Sequence, residues 1–142
     1  MNPTESQSVK KSRCPVCGKG QLERRLVTDR FEYAVDDKKT LVEAERVPVE
    51  VCNSCNEIFY GPEAARVRHD AACRALGLLT PNEIKGIRES LGMTQEEFAE
   101  LTGIGQATIS RWERGRLLQN RAHDRYLRLL ADNAENVRLL KQ

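Results

Sequence analysis

Aromatic residues are scarce in this 142-residue chain: one tryptophan, three tyrosines and three phenylalanines. Histidine occurs only at 69 and 123. Both fall in helical stretches without ligand-like neighbours, and both read as surface residues. There is no Ser/His/Asp arrangement, no phosphate-binding loop and no open metal site, so the chain is not expected to be an enzyme. No stretch approaches the ~18–20 apolar residues of a membrane span. Residues 1–13 lack any apolar run and read as a disordered tail rather than a secretory signal. A cytoplasmic location, with thiols kept reduced, is the expectation. A dominant charge is missing too. The net charge is +1 over residues 1–80, −1 over 81–116 and +2 over 117–142. Any nucleic-acid binding must therefore come from a local arrangement, not from a polycationic surface.

Cysteine is where the sequence is specific. Four of the five form two pairs, Cys14-Pro15-Val16-Cys17 and Cys52-Asn53-Ser54-Cys55. A C-x-x-C turn sets two sulfurs on one side of a tight loop, and two such turns facing each other make a tetrahedral thiolate cage. Gly18 lets the first turn bend back, with an N–H able to point at a sulfur. Asn56 holds the matching place in the second and tolerates the same left-handed backbone. Redox use would call for one such pair near a βαβ pattern. Two pairs point to one structural Zn²⁺, with iron as the competing metal. Four thiolates leave no position for a reacting water. The fifth, Cys73, reads as a small buried apolar residue.

The 34 residues between the pairs are rich in β-branched residues. "VTDRFEYAV" alternates, with Val27, Phe31, Tyr33 and Val35 on one side. "KTLVEAER" and "VPVEVC" continue the pattern, and Asp36 to Lys39 read as a polar turn. A small antiparallel sheet of about three strands follows, too small to stand without its metal. Phe31, Tyr33 and Phe59 are expected in its core. "GPEAARVRHDAACRALG" then predicts a helix from Pro62 to Gly77.

Beyond a short linker, 77–80, the pattern becomes helical. "TPNE" and "TQEE" are capping-box starts at Thr80 and Thr94. "TGIG" breaks the second helix, and "QATISRWERG" forms a third. Short helices joined by tight glycine turns argue for a helix-turn-helix. The tail after 117 adds two helical segments carrying Tyr126, Leu127, Leu129, Leu130, Val137, Leu139 and Leu140. Some of these close the core, and the rest suit a two-fold dimer. The fold expected is α+β. A metal-bound antiparallel β domain with a helix (14–76) precedes an all-α five-helix domain (81–142).

"MTQEEFAELTGIGQATISRWERG", Met93 to Gly115, resembles the Cro/repressor-type helix-turn-helix family, the xenobiotic-response-element regulators. The resemblance implies a reading helix in the DNA major groove. With Ile109 and Trp112 turned inward, Gln106, Ala107, Ser110 and Arg111 face outward. Gln106 suits adenine and Arg111 guanine, Ala107 can touch a thymine methyl, and Thr108 and Arg114 are placed for phosphates. The resemblance further implies that Gln95 holds a backbone phosphate at a helix start, and that Glu113 pairs with Arg88.

Taken together, the two halves resemble the MqsA-type antitoxins, with their YgiT-type zinc finger. That resemblance implies a homodimer repressing its own operon at a palindromic operator, and a zinc domain that neutralises a toxin, usually an RNA-cleaving enzyme. Neither a membrane nor a small-molecule substrate is implied. Two other readings stand beside it. One is a stand-alone zinc-containing transcriptional regulator without a toxin. The other is a zinc-ribbon RNA-binding or redox-sensing protein with an accessory helix-turn-helix.

Overall fold

The computed structural model describes residues 12–142. It places a three-stranded antiparallel sheet ahead of six helices, an α+β layout. Residues 1–11 of the expected tail lie outside the described residues. Its last two do not hang free: Ser12 O accepts from Leu22 N at 2.8 Å, and Arg13 bridges Gln21.

Strands β1 (Leu22–Val35) and β2 (Lys38–Cys52) form one long hairpin, and β3 (Ile58–Phe59) adds to the far side of β2. The hairpin tip is tighter than the expected four-residue turn. Asp36 and Asp37 alone make it, both at positive φ (51° and 62°), and Lys38 and Lys39 already belong to β2. Two successive left-handed residues match the twist of the flanking strands, and aspartate tolerates them better than most side chains.

One irregularity decides which side chains of β2 face inward. Val27 pairs with Val47 but Asp29 with Ala44, so Thr28 faces two residues, Glu45 and Arg46. Arg46 takes up the slack at φ 56°. A strand shows alternate residues to one face, and the bulge shifts that alternation by one. Val42 and Ala44 are buried before it, and Val47, Val49 and Val51 after it. Without the shift, the last three valines would point to water.

Helix α1 (Pro62–Leu76) covers this face. Ala64 is fully buried against Ala44, Val47, Val49 and Val51, with Val67, Ala71, Val27 and Phe31 at the margin. The expected aromatic core is thinner than the sequence suggests. Phe31 is half-buried and carries the Arg68 guanidinium on its ring at 4.5 Å, while Tyr33 stays 36% exposed. The sheet is too narrow to enclose a large ring on both sides.

The helical half comprises α2 (Pro81–Ser90), α3 (Gln95–Thr102), α4 (Gln106–Glu113), α5 (Arg121–Asp132) and α6 (Ala134–Leu140). Both capping boxes form: Thr80 with Glu83 and Thr94 with Glu97 exchange side chain and backbone bonds. Gly103 ends α3 at φ 76°, a turn that a side chain would strain. Phe98, Ile104, Ile109, Trp112, Leu127, Leu130 and Val137 close on Ile84 and Leu79.

Segment 77–80 is packed into the molecule. Leu78, Leu79 and Thr80 are buried. Asp124 Oδ1 accepts from Leu79 N at 2.8 Å, and Gln119 Nε2 donates to Leu79 O at 2.8 Å. Leu78 joins Cys73, Leu76, Val35 and Leu118 in an apolar cluster shared by both halves. Two consecutive leucines need cover on both sides, and only the two halves together supply it. Cys73 is buried here, and desolvation pushes its thiol up to about 11, so it is an inert packing residue.

Candidate metal centre and nucleic-acid interface

The two C-x-x-C turns meet at the base of the hairpin. All four Sγ atoms of Cys14, Cys17, Cys52 and Cys55 lie within 4.8 Å of one another. Cys14 and Cys55 are 3.8 Å apart and Cys17 and Cys52 3.6 Å. A tetrahedron with metal–sulfur bonds of ~2.3 Å has sulfurs about 3.8 Å apart. The donor set therefore fits a Zn²⁺-sized ion bound through four thiolates.

The two turns are built alike. Gly18 N donates to Cys14 O at 3.0 Å, and Asn56 N to Cys52 O at 3.1 Å. Gly18 and Asn56 both sit at positive φ, 68° and 61°. The N–H of Gly18 thus closes the turn rather than reaching a sulfur. That task falls to Gly20, whose N–H points at Cys17 Sγ at 3.4 Å, and to Ser54 and Cys55, both 3.4 Å from Cys52 Sγ. Gly20 has a second reason to be glycine. A Cβ there would stand 2.3 Å from Cys52 Sγ and 2.8 Å from Ser54 Cβ. In the sequence Gly18 draws notice as a turn former and Gly20 does not. The Gly18-Lys19-Gly20 repeat was the signal for Gly20.

The electrostatics suit a cation. The Gly20 and Lys19 N–H groups, helped by neighbouring sulfurs, lower the Cys17 thiol to about 6. The Cys55 N–H, opposed by burial, lowers Cys52 as well. Cys55 goes the other way. A Glu57 N–H favours its thiolate, but burial and the three other sulfurs outweigh it and push the thiol up to about 12. Four sulfurs this close cannot all ionise unaided, whereas a dication supplies the missing positive charge.

The second constellation is on α4. Ile109 and Trp112 are buried, at 0% and 1% exposure, and anchor one side of the helix. Gln106, Ala107, Arg111 and Arg114 are exposed on the other, with Thr108 and Ser110 half-buried between the two sides. Arg114 follows the helix, its Nε 3.3 Å from Ser110 O. Gln95 is the first residue of α3 and half-buried, directly after the Thr94 cap.

Glu113 closes α4 and is buried. Arg88 donates to its carboxylate through Nη2 at 2.7 Å and Nε at 3.0 Å, and its Nη1 reaches Met93 O at 2.8 Å. The bond to Glu113 raises the guanidinium's affinity for its proton further, against the cost of burial. The guanidinium therefore stays charged.

Neither histidine is a free surface residue. The His123 ring packs 5.3 Å from Trp112. His69 is half-buried next to Gly115, and burial lowers its pKa. His69 thus faces the helical half and His123 packs within it, neither of which a local pattern announces.

Two comparisons bear on this arrangement. Residues 12–140 match the model of the antitoxin component of a bacterial toxin-antitoxin system, MqsA. Antitoxin MqsA of Escherichia coli (strain K12) is 26% identical over 128 residues, spanning 87% of this chain and 95% of that protein. With the matched span running from the first thiolate turn through the last helix, the chain belongs to the MqsA antitoxin family.

Proposed function

We propose that this chain is an antitoxin that also represses its own operon. In this reading the metal-bound half, residues 14–76, binds and neutralises a cognate toxin, an RNA-cleaving enzyme. The helical half, 81–142, dimerises and binds a palindromic operator. The four thiolates hold one Zn²⁺, whose part is to fold the hairpin base, since no coordination position is left for chemistry. The chain performs no reaction of its own.

One observation carries the DNA-binding part: α4 is anchored by Ile109 and Trp112 while its opposite side shows Gln106, Ala107 and Arg111 to solvent. A recognition helix needs that division. Gln106 and Arg111 have the donor and acceptor patterns for adenine and guanine, and Ala107 has the size for a thymine methyl. Ser110 belongs to the same reading side though half-buried, Thr108 and Arg114 take phosphates, and Gln95 sits at a helix start, where backbone N–H groups favour an anion. Leu129, Leu139 and Leu140 remain 59%, 55% and 38% exposed, an apolar surface for the two-fold partner.

Family membership supports the toxin-binding part. The test is recovery of the tagged chain from its native cells. A stoichiometric small basic protein that is toxic when expressed alone is the expected companion. Recovery of a zinc-bound homodimer alone would leave a stand-alone regulator.

A further inference from the structure

Arg66 lies near the N-terminal end of α1, in the metal-bound half, yet its guanidinium reaches into the helical half. Nη1 donates to the main-chain oxygen of Glu113 at 3.2 Å, and Nη2 to Asn82 Oδ1 at 3.0 Å. Nε lies 3.3 Å from Asp70 Oδ1, close enough for an ion pair but out of line for a hydrogen bond. Glu113 is the last residue of α4. The final carbonyls of a helix have no partner within it and carry its partial negative charge, so a cation there is favourable twice over.

The backbone leaving α4 is fitted to the same side chain. Gly115 has φ 70°, and a Cβ on it would stand 3.0 Å from Arg66 Cδ and 3.5 Å from His69 Cδ2. Glu113 is therefore gripped at both ends, its carboxylate by Arg88 of α2 and its carbonyl by Arg66 of α1. The remainder of α1 rests on β2 through Ala64, Val67 and Ala71, and β2 ends in Cys52 of the thiolate cluster. Packed groups run without a break from the metal centre to the reading helix.

We infer that Arg66 is a positioning residue for operator recognition: it fixes the C-terminal end of α4 against the metal-bound half and so sets how the exposed side of α4 meets base edges. This rests on the DNA-binding reading above. In it Arg66 touches no DNA, because its guanidinium is turned into the molecule, toward Asn82, the Glu113 carbonyl and Asp70. Base-edge contacts demand one placement of the helix, whereas phosphate contacts tolerate several. Loss of Arg66 should then reduce specific binding and spare non-specific binding.

The experiment measures affinity of the full-length zinc-bound protein for two duplexes over a salt series: the DNA upstream of its own coding sequence, and a scrambled duplex. Arg66→Ala is expected to weaken operator binding about tenfold, the scale of losing a bond to a charged group. Scrambled-duplex affinity and the salt slope should stay as in the parent. Arg66→Lys, which keeps one cation at the helix end, should fall between. Arg74→Ala, an exposed charge lost from the same helix, should match the parent. Equal discrimination by Arg66→Ala and the parent overturns the inference. So does equal loss on both duplexes, or a salt slope shallower by about one, the mark of a phosphate contact. Should Arg66→Ala not fold, Asn82→Ala removes one anchor, and an unchanged specificity ratio there overturns it equally. A parent protein that fails to discriminate the two duplexes refutes the DNA-binding reading itself.

Discussion

Arg88 and Glu113 meet in two parallel hydrogen bonds, 2.7 and 3.0 Å long, and are 12% and 4% exposed. One guanidinium thereby joins α2, the Met93 carbonyl ahead of α3 and the end of α4. Removing it strands a buried carboxylate. Arg88→Ala is expected to cost about 3–5 kcal/mol of stability, seen as a lower denaturant midpoint at unchanged slope. A midpoint equal to the parent's would show that α4 is held by packing alone.

Gly20→Ala is expected to damage the metal centre without touching a ligand. Its Cβ would intrude to 2.3 Å from Cys52 Sγ, and the obstacle is a sulfur fixed by its role, not a flexible chain end. Metal affinity should fall at least as far as it does for lost outer-shell partners, about 10–100-fold. Competition with a chromophoric chelator measures it. Parent-like affinity would mean that the turn can open by more than an ångström at little cost.

Asp124 predicts how the chain responds to acid. Burial pushes its carboxyl up, but the Leu79 N–H, Arg128 and Gln119 together outweigh that, and the pKa ends below the ordinary aspartate value. The stability it contributes is full above the unfolded aspartate pKa, ~4, and disappears as pH falls through the lower folded value. Asp124→Asn should be less stable than the parent at neutral pH, and the gap should close below pH ~4. Parallel stability curves down to the lowest pH would sink this assignment.

Arg111→Ala should weaken operator binding by about 1–3 kcal/mol and relax the preference at one base pair. Footprinting across a set of single-base operator variants reads both effects. An unaltered preference at every position would remove Arg111 from the base-reading group.

What the sequence disclosed depended on how local the cause was. The thiolate turns, both capping boxes, the α1 stop at Gly77 and the inward Ile109 and Trp112 are each set by a few neighbouring residues, and each was legible. The bulge at Arg46 was half-visible. The valines of "VEAERVPVEV" change phase there, but a break in alternation reads equally well as the gap between two strands. Arg66 left no trace. It looks like any arginine on an amphipathic helix, and its partners, Asn82 and Glu113, are 16 and 47 positions away. The burial of 77–80 was hidden for the same reason, since nothing in "GLLT" says that Asp124 and Gln119 will bond Leu79.

The thiolate cluster has one more consequence, for the topology of the hairpin. Its four ligands flank β1 and β2, so a bound ion turns strand, tip and strand into a closed ring. A ring cut once is still one piece. Cleavage between Asp36 and Asp37 at the exposed tip would leave both fragments joined through the ion and the paired strands. A nicked chain should run as one particle on a sizing column and separate only when a chelator is added with denaturant.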